Sequence, residues 1–262
     1  MIDSHCHLDL PAFDSDWQEV VSRAVQSGVT RLLIPGTTNA SSKQQFAIQS
    51  KQVDALPIDV ALGLHPYFLN TETASLSTQL SILEQAVASH RHRIVALGEI
   101  GLDCHIPLDF ALQLQAFEQQ LMMATQFSLP VILHHRKSHH HIFSSLKNVG
   151  YTGRGVIHAF SGSIEVAMQY INRGFYIGVG GTITYERAHK TREAIRYLFK
   201  HHPSSLLLET DSPDMPMMGR QGKRNEPAHV IDVVTALAHL VGSTTTTVIN
   251  STNENYYNCF LR

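Results

Sequence analysis

Near its start the chain reads Ser4-His5-Cys6-His7-Leu8-Asp9, and two imidazoles one residue apart are the kind of pair that chelates a divalent metal. If Ile2–His7 is a β-strand, side chains alternate faces, so His5 and His7 point one way and Cys6 the other. The spacing alone is weak evidence: 17 histidines in 262 residues repeat it at His90/His92 and His139/His141. What sets His5 and His7 apart is recurrence, because apolar runs along the chain keep ending in ligand-type residues. His65, Glu99, His134, His158 and Asp211 each close such a run. Five imidazoles and two carboxylates exceed what one zinc needs and suit two metals bridged by a carboxylate, which clamps attacking and leaving oxygens in a displacement. A carboxylate left unpaired after Val95-Ala96-Leu97-Gly98 would be costly to bury, which makes Glu99 a ligand candidate. The same reasoning applies after Leu206-Leu207-Leu208. There strand alternation puts Glu209 and Asp211 on one face, and the residues alone do not choose between them.

These residues need a scaffold that brings strand ends together. Eight β-branched or apolar runs suit buried strands: Ile2–His7, Arg31–Thr37, Ile58–His65, Ile94–Asp103, Pro130–Arg136, Gly155–Phe160, Phe175–Gly180 and Leu206–Asp211. Amphipathic stretches lie between them. Trp17, Val20, Val21, Ala24 and Val25 follow helical spacing, with Asp16 as candidate cap and Gly28 as stop. Leu114 to Ala124 marks a second helix, and Ile164 to Ile171, closed by Gly174, a third. Val230 to Leu237 marks a late one with Pro227 near its first turn. Strand and helix alternate about every 30 residues, which fits an α/β TIM-type (β/α)8 barrel occupying residues 1–262 as one domain. A doubly wound sheet is the alternative, but it gives no reason for ligand-type residues at so many strand ends. Met215–Asn225 reads as a long loop over the barrel mouth.

Bulk properties narrow the class. The chain is 43% hydrophobic and 16% charged, which argues against disorder. A formal net charge of −2 gives no overall pull toward nucleic acid or anionic membrane, although bound metals would supply local positive charge to a phosphate. Cys6, Cys104 and Cys259 read as free thiols, with Cys6 facing the helix layer as a structural group. No signal-peptide pattern and no membrane-length apolar run is present, so a cytoplasmic location is expected.

Six blocks together resemble the TatD family of metal-dependent hydrolases, and most nearly its bacterial YjjV-type branch. They are His5-Cys6-His7-Leu8-Asp9, Gly98-Glu99-Ile100-Gly101-Leu102-Asp103, Pro130 to Arg136, His158 to Ser163, Glu209-Thr210-Asp211-Ser212-Pro213, and Gly222-Lys223-Arg224-Asn225-Glu226-Pro227. They occur in the family's order over nearly the whole chain. The resemblance implies an amidohydrolase-type barrel with two divalent metal ions (Zn, Mn or Mg). His5, His7 and Asp211 would hold one metal and His134 and His158 the other, with Glu99 bridging. It also implies hydrolysis of phosphodiester bonds, as in a 3′-to-5′ deoxyribonuclease using a metal-activated water, with Asp211 and Glu99 catalytic. Substrate contacts are expected from His65, Arg136 and Arg224, and nucleic-acid ends or short oligonucleotides are the expected substrate; no membrane or obligate protein partner is inferred. The sequence departs from the family pattern at His135-Arg136-Lys137, at Cys104-His105 and at Ala159, none of them a proposed ligand. The His139–His141 tract is expected to begin a solvated helix. Rival readings are an amidohydrolase cleaving a C–N or carboxyl-ester bond, and a catalytically idle metal- or nucleic-acid-binding protein.

Overall fold

Buried β-branched runs on either side of amphipathic helices build a parallel barrel in the computed structural model, which describes residues 1–51, 53–69 and 74–262. The strands are β1 (Ile2–Asp3), β2 (Arg31–Ile34), β3 (Ile58–Leu62), β4 (Ile94–Asp103), β5 (Val131–Arg136), β6 (Gly155–Ile157), β7 (Phe175–Val179) and β8 (Leu206–Leu208). They pair in sequence order, each parallel to the next. The ring closes where the Ser4 N–H donates to Leu208 O at 2.9 Å and the Asp211 N–H donates to His5 O at 2.9 Å. This is a TIM barrel.

Nine helices accompany the strands among the described residues. They are α1 (Trp17–Gln26), α2 (Ser41–Lys51), α3 (Leu76–Ser89), α4 (Phe110–Gln126), α5 (His139–Asn148), α6 (Ile164–Ile171), α7 (His189–His201), α8 (Val230–Val241) and α9 (Thr245–Phe260). Leu32, Ile34, Val60, Leu62, Val131 and Leu133 face outward and pack on helix residues such as Val20, Phe117, Leu121 and Leu146. The alternate set, Leu33, Ala61, Ala96, Ile132, Val156 and Leu207, fills the barrel interior. Period-two alternation thus serves two cores at once.

The interior is capped at the strands' N-terminal ends by α9, whose Tyr256, Cys259 and Phe260 join that inner layer. Tyr256 donates its hydroxyl to Asp59 Oδ2 at 2.6 Å, and Asp59 also takes both oxygens to Arg31, at 2.8 and 2.9 Å. The Ile2 N–H donates to Asn253 Oδ1 at 3.1 Å, tying β1 to the same plug. The opposite end stays open.

Several strands are shorter than the sequence runs suggest. Those through His7, Thr37, His65, Phe160, Gly180 and Asp211 leave the ladder one to four residues early, at Asp3, Ile34, Leu62, Ile157, Val179 and Leu208. The chain must turn inward there to bring side chains over the axis, and Ala159 (φ 44°) and Asp211 (φ 57°) take left-handed backbone to do so. Only Ile94–Asp103 runs its full expected length. Asp16 begins α1 but makes no side-chain capping bond, because its carboxylate is held by Arg23 and Arg224 instead. Among the described residues no helix is long and apolar enough to cross a membrane.

Candidate metal centre

The open end holds a cavity of about 380 Å³ lined by His7, His65, Glu99, Asp103, His134, His158 and Asp211, with Tyr67, Phe68 and Arg136 at its rim. Glu99 lies at its floor, 1% exposed, near the middle of the longest strand, β4. The two oxygens of Glu99 divide the donors into two sets. Oε2 faces His5 Nε2 at 3.0 Å and His7 Nε2 at 3.4 Å. Oε1 faces His158 Nε2 at 2.7 Å and His134 Nδ1 at 2.8 Å.

The first set fits a metal by its own dimensions. His5 Nε2 and His7 Nε2 stand 3.2 Å apart, and Asp211 Oδ1 lies 3.5 Å from one and 3.6 Å from the other. Donors about 2.0–2.1 Å from a tetrahedral zinc are about 3.3 Å from each other, so these spacings match the edges of such a site. Two lone-pair nitrogens and two carboxylate oxygens this close repel unless protons or a cation lie between them. In the second set His134 Nδ1 and His158 Nε2 are 3.4 Å apart and share Glu99 Oε1, which makes a three-donor face open to the cavity. An open face is what a catalytic metal keeps for water or substrate. The residues fit a two-cation group.

A hydrogen bond on the far side fixes one of the imidazoles. His134 Nε2 meets Asp103 Oδ2 at 3.4 Å, which turns its Nδ1 inward. Asp103 was not recognised from sequence as part of the site, although its Gly-Leu-Asp block was. His65 behaves differently. Its Nδ1 accepts the Tyr67 N–H at 3.0 Å, so a neutral ring carries its proton on Nε2, 3.2 Å from Glu99 Oε1. His65 is therefore built as a donor toward the cavity rather than as a lone-pair ligand.

Burial and charge set the ionisation. Burial pushes the Glu99 carboxyl up, but the imidazoles of His158, His65 and His5 outweigh it and hold the group well below the usual carboxylate range. Burial lowers His158, yet the Glu99 charge wins and raises it to about 10. His5 is driven well down by burial, and His65 down to about 4 for the same reason. Asp211 is raised, chiefly by burial. Behind the first set, Asp3 accepts the Thr210 hydroxyl at 2.7 Å and the Thr210 N–H at 3.0 Å, locking β1 to the turn that carries Asp211. Glu209, the competitor of Asp211, is fully buried on the His158 side and reaches neither His7 nor the cavity lining.

Two expectations are corrected. Arg224 does not reach the cavity: it binds Asp16 through both terminal nitrogens at 2.6 and 2.8 Å, meets Glu226 at 2.9 Å and covers the Phe13 ring. Both terminal nitrogens of the guanidinium are engaged by Asp16, Glu226 and the Ala12 carbonyl. His139 is not solvated either, since its nitrogens meet the Tyr170 hydroxyl at 2.9 Å and Ser161 O at 3.0 Å. Arg136, by contrast, is exposed at the rim and makes no ion pair among the described residues. Cys6 is fully buried in the barrel–helix core, its sulfur accepting the Ser212 hydroxyl at 3.1 Å.

The family model described as TatD related DNase matches residues 2–261. "Uncharacterized metal-dependent hydrolase YjjV" of Escherichia coli is 38% identical over 99% of this chain and 97% of its own length. The crystal structure of YjjV superposes with a TM-score of 0.90 at 37% identity, covering 99% of this chain and 97% of that one. A "3'-5' ssDNA/RNA exonuclease TatD" from Enterobacter lignolyticus is 28% identical over 99% of this chain and 98% of its own. The lactonase Lmo2620 of Listeria monocytogenes, at 14% identity and TM-score 0.71 over 99% of this chain and 94% of that one, shares the fold. The chain belongs to the TatD family of metal-dependent hydrolases.

Proposed function

We propose that this TatD-family chain is a phosphodiesterase acting at free ends of nucleic-acid strands, a 3′-to-5′ deoxyribonuclease that works with two divalent cations. The observation that carries this reading is the division of donors by Glu99. His5, His7 and Asp211 gather at Oε2, and His134 and His158 at Oε1, so one carboxylate stands between two donor sets that would each hold a cation. Cations bound there would supply Lewis acidity, making a water acidic near neutral pH and neutralising charge at phosphorus.

The chain's own residues do the rest. Asp211 turns Oδ1 toward His5 and His7, and its side chain keeps 15% exposure to the cavity. That placement suits it to take the attacking water's proton and return it to the leaving oxygen. His65 donates Nε2–H to a phosphoryl oxygen, and Arg136 offers that group a two-pronged contact. Tyr67 is 62% exposed at the rim and presents a ring face to a base. A cavity of about 380 Å³ suits one nucleotide end better than the two strands of a duplex. The name of the Enterobacter relative points the same way.

The test is elemental analysis of the purified protein combined with digestion of end-labelled single-stranded oligonucleotides across Zn, Mn and Mg. Two metals per chain and stepwise shortening from the 3′ end are expected. Turnover of lactones or amides with every phosphodiester left intact would replace this reading with the carbonyl-hydrolysing alternative.

A further inference from the structure

Two imidazoles from the two donor sets lie face to face. The rings of His5 and His158 stack with centroids 4.0 Å apart and planes 9° from parallel. Both turn Nε2 to Glu99, at 3.0 Å from Oε2 and 2.7 Å from Oε1. Their outer nitrogens, Nδ1 of each, are buried and have no hydrogen-bond partner among the described residues. On the outer side of His158 lies Glu209, 0% exposed. Its Oε1 accepts the Ala159 N–H and stands 4.0 Å from His158 Nδ1, while Oε2 is buried without a partner among the described residues. One donor atom from each of His5, His158 and Glu209 lies within 4.8 Å of the other two.

We infer that Glu209 is a positioning residue for the second donor set, a buried carboxylate that orients His158 from behind. An imidazole that gives its Nε2 lone pair to a cation carries its proton on Nδ1. The His158 ring then presents a buried N–H on the side where Glu209 Oε1 stands 4.0 Å away. A separation of 4.0 Å exceeds a hydrogen bond, but a charge acts strongly over it in a dry interior. A carboxylate behind a ligand histidine fixes ring orientation and raises its basicity.

The surroundings preserve the arrangement. A Cβ at Gly178 on β7 would sit 2.5 Å from Glu209 Oε2, so the neighbouring strand stays bare where the carboxylate lies. The Ala159 N–H that pins Oε1 belongs to the residue following His158, at φ 44°. Glu99 and Glu209 thus face the two nitrogens of His158. Strand alternation gave Glu209 and Asp211 the same face, and the chain uses both, one behind His158 and one among the donors.

This inference rests on the metal reading of the six donors, and the test separates the two. Full-length protein is stripped with a chelator and titrated with Zn²⁺ alone against a chromophoric competitor, and the melting temperature of the metal-free form is recorded alongside. Wild type is expected to bind two Zn²⁺. Glu209→Gln removes the charge at nearly constant volume and is expected to weaken binding about 10- to 100-fold without lowering the metal-free melting temperature. Glu209→Asp keeps the charge but withdraws it by one methylene, and it should fall between the two. Wild-type Zn²⁺ affinity in Glu209→Gln overturns the inference, as does a metal-free melting temperature that drops in both variants along with affinity, the mark of a merely structural group. Wild type binding no Zn²⁺ overturns the metal reading and this inference together.

Discussion

Glu99 is the residue on which the chemistry converges, because its two oxygens meet four imidazole nitrogens within 3.4 Å and a fifth, from His65, at 3.2 Å. Glu99→Ala removes the shared vertex of both donor sets, so metal content should fall from two per chain to one or fewer, read by elemental analysis; two retained metals would refute bridging. Asp211→Asn keeps the shape of the side chain but loses its capacity to take a proton. Turnover of a labelled oligonucleotide should be abolished while circular dichroism and melting stay near wild type, and unchanged turnover would remove Asp211 from the chemistry. Tyr67→Ala tests the base-stacking role of the rim: cleavage of thymidine 5′-p-nitrophenyl phosphate should drop about tenfold while methyl p-nitrophenyl phosphate, which lacks a base, is unaffected. An equal loss on both substrates would place Tyr67 elsewhere in the reaction. His5, His7, Glu99, His134 and His158 stand out in the sequence as donor candidates because their side chains suit metal and close apolar runs, whereas only the family resemblance separates Asp211 from Glu209. The partners behind these donors do not stand out, since Asp103 declares its role only through the nitrogen of His134 that it meets.

At the scale of elements, the barrel strands were legible and their ends were not. Alternation and burial fix where a strand runs, whereas the point at which it leaves the ladder depends on the turn each loop must make toward the axis. The loop after β8 shows this. The sequence reads as a long loop over the barrel mouth with Arg224 expected to contact substrate, and in the fold Asn225 pins it from inside, donating Nδ2 to Thr210 O and Asp214 O at 2.9 Å each. Arg224 fastens it to Asp16 ahead of α1. The hydrogen bonds from Arg224 hold Asp16 down at about 2. A folded value below the ordinary 3.8 means the contact stabilises above that pH and is lost as pH falls through about 2. Exposed pairs of this kind contribute little each, about 0.2–1 kcal/mol, so the loop should loosen without global unfolding. Trp17, the single tryptophan, adjoins Asp16 and reports on it. Its fluorescence should change with a midpoint near pH 2 in wild type, and in Arg224→Ala the midpoint should move up toward the ordinary 3.8, short of it by the remaining bond from Arg23. Because Arg224 lies outside the cavity lining, hydrolysis of a small phosphodiester near neutral pH should stay within about twofold in that variant.

Across the whole molecule, chemistry and closure occupy opposite ends of one barrel. The donors crowd the C-terminal ends of the strands, and α9 seals the N-terminal ends. That seal was hidden in the sequence. Thr245-Thr246-Thr247 and the asparagines at 250, 253, 255 and 258 are poor helix formers, so only packing on the barrel floor makes the segment a helix. Its apolar residues Tyr256, Cys259 and Phe260 have meaning only against Leu33, Ala61, Ala96 and Ile132, which come from four separate strands. Phe260 is 5% exposed in that layer, and removing its ring leaves a cavity the rigid barrel cannot close. Phe260→Ala should therefore cost about 3–5 kcal/mol, a drop of roughly 10 °C in melting temperature for a chain of this length. Zn²⁺ stoichiometry and affinity, measured well below the melting point, should not change, because the inner layer of Ile2, Leu33 and Leu207 separates the plug from the donors. A loss of metal affinity in step with the melting temperature would mean that the floor helps to set the spacing of His5 and Glu99, and that the two ends of the barrel are one mechanical unit.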